Sequence, residues 1–147
     1  MFTTDFRKCI LCSLVVLFMF PIMTWGSEVH AQSQACQVLV FTPNYPTTTS
    51  IGQTIVVSTT IGVSCGQWRT YYTARVDLVD RQSGNILSTS TFDIGVSPNV
   101  TVTVSNNATA PQTSGLWELN LNLYIFEGGS MVTSSKDHPV NIQVGKT

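Results

Sequence analysis

Few side chains in this sequence can do chemistry. It holds two histidines and four cysteines, with eight Asp and Glu against seven Lys and Arg. A nucleophilic triad needs a nucleophile, a base and an orienting acid brought together. Past the N-terminal segment the one candidate base is His138, and its neighbours Lys136, Asp137 and Pro139 read as a solvated turn leading into the last strand. Glycoside hydrolysis needs two carboxylates flanking one bond. Glu118, Glu127, Asp77, Asp80, Asp93 and Asp137 are the pool, with Glu118 and Asp77 on outward faces and the others mostly at strand ends. Asp80-Arg81-Gln82-Ser83-Gly84-Asn85 places oxygen donors at alternate positions, as a calcium loop does. It lacks the acidic density and closing bidentate Glu of such a loop, and Asp and Gly serve hairpin turns equally well. Gly128-Gly129 is a turn signal rather than a phosphate loop, since neither a basic residue nor a helix pattern follows. The expectation is no catalytic residue, no metal and no cofactor.

Composition points the same way. Charged residues make up 10% of the 147 and the formal net charge is −1, whereas a soluble domain usually carries about 25% charged residues. A 43% hydrophobic fraction excludes a disordered chain, which needs low hydrophobicity and high charge. Nucleic acid is excluded as a partner, because phosphate binding needs clustered Lys and Arg. The length fits one domain.

The first 31 residues read as a secretory signal. Arg7 and Lys8 precede an apolar run from Ile10 to Phe20, then the breaker Pro21, then Val29-His30-Ala31. Val29 and Ala31 take the −3 and −1 places if cleavage falls before Gln32. The alternative is a retained anchor, but Ile10 to Trp25 is about 16 residues, short of the roughly 20 that a spanning helix needs. Membrane contact would then run only through this uncleaved segment. Either way residues 32–147 lie outside the cytoplasm, secreted or at the cell surface. Cys9-Ile10-Leu11-Cys12 matches a redox spacing but sits inside the apolar run, without the strand-to-helix turn such a motif requires.

In an oxidising compartment the remaining pair, Cys36 and Cys65, is expected to bridge. Cys36 shares parity with Val38 and Val40, and Cys65 with Ile61 and Val63. Closing a loop of about 30 residues contributes about 3–4 kcal/mol on the chain-entropy model. The alternative leaves two free thiols for metal binding or catalysis. Asn99-Val100-Thr101 and Asn107-Ala108-Thr109 are acceptor sequons for N-glycosylation. Parity puts Asn99 on a solvent face, and Asn107 is expected in a loop. Trp68, Arg69 and Tyr71 after Cys65-Gly66, with Tyr45 from the preceding polar loop, form a candidate binding loop. Such residues offer rigid contact area at low entropic cost. Tyr72 shares parity with Ala74 and Val76 and is expected in the core.

The elements that must position these residues are strands. Trp117, Leu119, Leu121, Leu123 and Ile125 alternate with Glu118, Asn120 and Asn122, the period of a half-buried strand. Inward rows follow at Val38 and Val40; Ile55, Val57, Thr59, Ile61 and Val63; Ala74, Val76 and Leu78; Val100, Val102 and Val104; and Val140, Ile142 and Val144. Ile86 to Phe92, rich in Ser and Thr, suits an edge strand. Turn residues separate these runs, which gives about seven antiparallel strands in roughly 110 residues, the rhythm of an all-β sandwich.

The stretch Gly115-Leu-Trp-Glu-Leu-Asn-Leu-Asn-Leu-Tyr resembles the penultimate strand of immunoglobulin-like and fibronectin-III-like extracellular modules. Val76-Asp77-Leu78-Val79-Asp80 with Ser83-Gly84 is similar to their central hairpin. The resemblance covers residues 36–144 and implies a single sandwich domain over 32–147. It departs from antibody-type domains, whose cysteines sit on the second and sixth strands around a Trp. Here Cys36 precedes the first strand, Cys65 follows the second, and Trp117 belongs to the sixth. The expected function is an exported, non-enzymatic module in adhesion, binding or surface assembly, with a protein or surface glycan as partner. A small secreted hydrolase or inhibitor is one alternative. A filament subunit that self-associates by strand donation through exposed edges is the other.

Overall fold

The computed structural model describes residues 36–66, 71–96 and 99–145, with the backbone alone at 136 and 137. The signal segment, Trp68 and Arg69 lie outside the described residues. Eight strands follow one another: β1 (Cys36–Asn44), β2 (Thr48–Ser50), β3 (Thr54–Cys65), β4 (Tyr72–Asp80), β5 (Ile86–Gly95), β6 (Asn99–Thr109), β7 (Gly115–Glu127) and β8 (Ser130–Gly145). They form a three-stranded sheet in the order β1-β3-β6 and a five-stranded sheet in the order β2-β8-β7-β4-β5. All pairs are antiparallel except β2 with β8. The sequence pattern missed β2, because three residues, Thr48-Thr49-Ser50, are too few to show an alternation. Among the described residues no helix is long and apolar enough to cross a membrane.

The core lies between the inner faces of the two sheets. Leu119, Leu121, Leu123 and Ile125 of β7 are fully buried, as are Val76 and Leu78 of β4 and Val140 and Ile142 of β8. Trp117 and Tyr72 join them, so the inward parity read for β4, β7 and β8 holds. Burying side chains of this size contributes about 1.5–3 kcal/mol each, which makes these strands the energetic centre. The row on β3, Ile55 to Val63, is buried as expected.

Strand β1 departs from its expected pattern. A bulge between Val38 and Val40 puts one extra residue on this strand, and a bulge shifts every later side chain to the other face. Phe41 therefore packs on the core, while Val40 is 41% exposed. Opposite the bulge sits Gly62, where a Cβ would lie 3.1 Å from that of Val40. The glycine lets the kinked strand come close. Cys36 opens β1 directly across from Cys65, and the two are bridged and buried. Both cysteines are thus inside strands, not beside them.

Asn106 ties the sheets together at their β5–β6 side. It is 1% exposed, and its side-chain nitrogen donates to Val76 O (3.2 Å), Ser88 O (3.3 Å) and Ser88 Oγ (3.2 Å). Beside it Ser90 Oγ donates to Ser105 O at 2.6 Å. Its donors are matched from the opposite sheet, while its buried Oδ1 has no hydrogen-bond partner among the described residues.

Candidate functional site

On the five-stranded sheet, Gly95 of β5, Tyr72 of β4, Glu127 of β7 and Ser130 of β8 lie in one cross-strand row. The connections just beyond that row gather at one end of the sandwich. Gly128 (φ 55°) and Gly129 (φ 87°) form the two-residue turn of the β7–β8 hairpin, a turn that needs left-handed backbone at both positions. Tyr71, Val96 and Met131 at this end are each more than half exposed. Asp93 holds the Tyr71 phenol above its ordinary pKa, chiefly by favouring its protonated, hydrogen-bonding form, with local desolvation adding to the shift.

One step along the outer face the sheet presents a built cluster. Arg75 of β4 is paired in register with Tyr124 of β7, and Thr73 with Phe126. The Arg75 guanidinium lies 5.0 Å from the Tyr124 ring centre and 5.7 Å from that of Phe126. Its Nη2 is 3.1 Å from Asp77 Oδ2, and Thr89 Oγ1 donates to Asp77 Oδ1 at 2.8 Å. The Arg75 side chain is 42% exposed and that of Asp77 only 2%. Asp77 therefore faces outward as read from the alternation but is buried, because Arg75 and Thr89 close over it. Arg75 Nε is buried and has no hydrogen-bond partner among the described residues. Next to this cluster a shallow depression of ≈ 370 Å³ is lined by Thr73, Arg75, Thr91, Asp93 and Phe126.

A cation held over aromatic faces is worth about 0.5–2 kcal/mol. More important here is rigidity, since Asp77 and two rings fix a long, normally mobile side chain at the surface. Contact with such a preset Arg costs a partner little ordering entropy. The sequence reading did not single out Arg75, Tyr124 or Phe126. The signal was available: two aromatic side chains on the solvent-facing parity of β7, with Arg75 at the matching parity of the neighbouring strand.

The structure places the expected site residues as follows. Tyr71 lies at this end of the sandwich, and Trp68 and Arg69 lie outside the described residues. Tyr45 does not join Tyr71. It follows Asn44, which pairs with Ser58 far along β3 from Cys65, and it is packed against the core. Tyr72 is 1% exposed, with its hydroxyl unpartnered among the described residues. Asn99 and Asn107 are both exposed on β6. Asn107 is within the strand, paired with Val56, and not in a loop. The polar run Ser105-Asn106-Asn107 looks like a break, yet it continues the parity of Val102 and Val104.

The turn weighed as a calcium loop spends its carboxylate on the protein itself. Asp80 Oδ1 accepts from Ser83 N (2.8 Å) and Ser83 Oγ (3.1 Å), and Oδ2 accepts from Trp117 Nε1 at 3.0 Å. Partial burial pushes the Asp80 pKa up, but the hydrogen bonds from Ser83, Trp117 and Gln82 together outweigh it and hold the carboxyl below its ordinary value. His138 is not beside a solvated turn. It lies within β8 next to a bulge opposite Asn122, with its ring stacked on Phe41 at 4.0 Å and Nε2 2.9 Å from Ser135 Oγ.

No protein-family model matches the chain, and no curated protein sequence does either. Among solved structures it is similar to a β-glucuronidase of glycoside hydrolase family 2, at 15% identity and a TM-score of 0.58, covering 70% of this chain and 11% of that one. A family 2 glycosyl hydrolase from Bacteroides cellulosilyticus gives 8% identity and a TM-score of 0.57, covering 74% of this chain and 14% of that one. A putative β-galactosidase from Bacteroides fragilis gives 10% and 0.51, covering 74% and 16%. This chain is an immunoglobulin-like β-sandwich. It spans only a small fraction of the length of those enzymes, and at these identities the likeness is one of fold. Function has to be argued from the site.

Proposed function

We propose that the immunoglobulin-like sandwich is an exported, non-enzymatic recognition module, acting at the cell surface or outside the cell through the outer face of its five-stranded sheet and the adjoining loop end. The observation that carries this reading is Arg75, held half-exposed against Tyr124 and Phe126 by the buried Asp77. Arg and Tyr dominate interaction hot spots, and a fixed planar guanidinium beside a shallow depression suits a protein or surface glycan partner. Export is supported by the signal-like N-terminus and by the Cys36–Cys65 bridge, which persists in oxidising compartments.

The test is capture of partners from native extracellular material on immobilised protein, comparing wild type with Arg75→Ala, Phe126→Ala and Leu116→Ser. Leu116 is 62% exposed at the opposite end of β7. Partners lost from the first two variants and kept by the third support the reading. Equal capture by all three removes the Arg75 face from the function.

One observation favours a second reading, a small secreted hydrolase. Ser135 Oγ and His138 Nε2 are 2.9 Å apart, the contact of a nucleophile with its base. Hydrolysis of an activated ester that disappears in Ser135→Ala would support it.

A further inference from the structure

We propose that the outer face of the three-stranded sheet is a glycan-bearing face, with N-linked sugars on Asn99 and Asn107. The proposal rests on the export reading above. Both sequons fall on one strand, β6, which is an edge of its sheet, and the two asparagines share the same strand parity (99 and 107), so both project to the same side. Both are exposed, as are the hydroxyl-bearing Thr101 and Thr109 that complete the triplets. Asn106, of the opposite parity, points inward and belongs to no sequon.

A second observation comes from the neighbouring strand. Val56 of β3 pairs directly with Asn107 and is 48% exposed. An apolar side chain left open beside an acceptor asparagine is a surface that the first sugar ring of a glycan would cover. The rest of this face is uncharged: β1, β3 and β6 contain no Asp, Glu, Lys or Arg. Hydroxyl pairs Ser58–Ser105 (3.4 Å) and Thr60–Thr103 (3.3 Å) run across it. Nothing charged there would compete with a neutral oligosaccharide for the surface, and the sugars would leave the Arg75 face open on the other sheet.

The chemistry is transfer from a lipid-linked oligosaccharide by an oligosaccharyl transferase. Asn Nδ2 forms a bond to the anomeric carbon, the bond from that carbon to the donor's phosphate oxygen breaks, and the amide proton leaves through a base of the transferase.

The test is intact mass and glycopeptide sequencing of the protein recovered both from its native cells and from outside them. Two glycan increments are expected. Thr101→Ala and Thr109→Ala should each remove one increment while leaving the asparagine in place, and Thr101→Ser and Thr109→Ser should retain it. A bare chain beginning at Gln32 would overturn the glycan proposal and leave export standing. A bare chain retaining Met1 and found inside the cell would overturn both.

Discussion

The two sheets of this sandwich put the same strand alternation to different uses. In the five-stranded sheet, β4 and β7 each have a neighbour on both sides, so their inward rows are sealed and Leu119, Leu121, Leu123 and Ile125 are at 0% exposure. In the three-stranded sheet β6 is an edge, and its inward Val100, Val102 and Val104 are only partly buried. The outer faces differ as well. The larger sheet carries Arg75, Asp77, Asp93 and Glu118 with two aromatic rings, while the smaller shows hydroxyls, amides and the exposed Leu39, Val40 and Val56, without a charge. Stability is thus concentrated in the sheet that also holds the candidate site, where a deep, rigid floor keeps Arg75 and its partners in register. The smaller sheet covers the core and leaves its outer face for other uses.

The largest expected effect tests that division directly. Trp117→Ala removes a nearly buried indole and its hydrogen bond to Asp80, and should cost about 3–5 kcal/mol. Val102→Ala on β6 should cost only about 1 kcal/mol, because the smaller side chain is only partly buried at the sheet edge. Denaturant melts of both variants read the difference, and equal losses would break the comparison between the sheets.

Asn106 sharpens it, as the place where the smaller sheet holds on to the larger. Asn106→Ala abolishes three hydrogen bonds to Val76 and Ser88 and leaves those carbonyls without their donor. A loss of about 1–3 kcal/mol is expected. The same change uncovers part of the β5 edge, an invitation to strand pairing between copies. Thermal melts combined with light scattering would read both effects. A fully stable, monodisperse Asn106→Ala would show that the sheets are held by apolar packing alone.

Most of the fold was legible because its strands alternate cleanly. The rows on β3, β4, β7 and β8 needed only parity, and parity also aimed Cys36 and Cys65 at one another. What escaped was whatever parity cannot carry. The bulge after Val38 exchanged Val40 for Phe41, and the one near His138 turned an expected turn into continuous strand. Asp77 was read correctly as outward, but burial on an outer face depends on which side chains close over it, here Arg75 two residues back on β4 and Thr89 across on β5, and only register reveals the second. The candidate site escaped for the same reason. Arg75 and Tyr124 are 49 residues apart in the chain and meet only because β4 and β7 pair in that register.

The smallest expected effect concerns how the larger sheet uses charge. The Asp80 carboxylate closes the β4–β5 turn through Ser83 and receives the Trp117 indole, so it joins the hairpin to the start of β7. The hydrogen bonds it accepts hold its folded pKa below the ordinary carboxylate value. A carboxyl with a depressed folded pKa adds stability that is present above its unfolded value and is lost as pH falls through that value to the folded one. The wild type should therefore lose an increment of melting temperature below about pH 4 that Asp80→Asn does not lose, the other carboxylates being common to both. The increment is small, since the group is partly solvated. Melts of the pair at pH 7 and pH 3 would measure it. Identical pH profiles would mean that the ionised form of Asp80 contributes nothing, and that the charge of the five-stranded sheet matters at the Arg75 cluster and not at this turn.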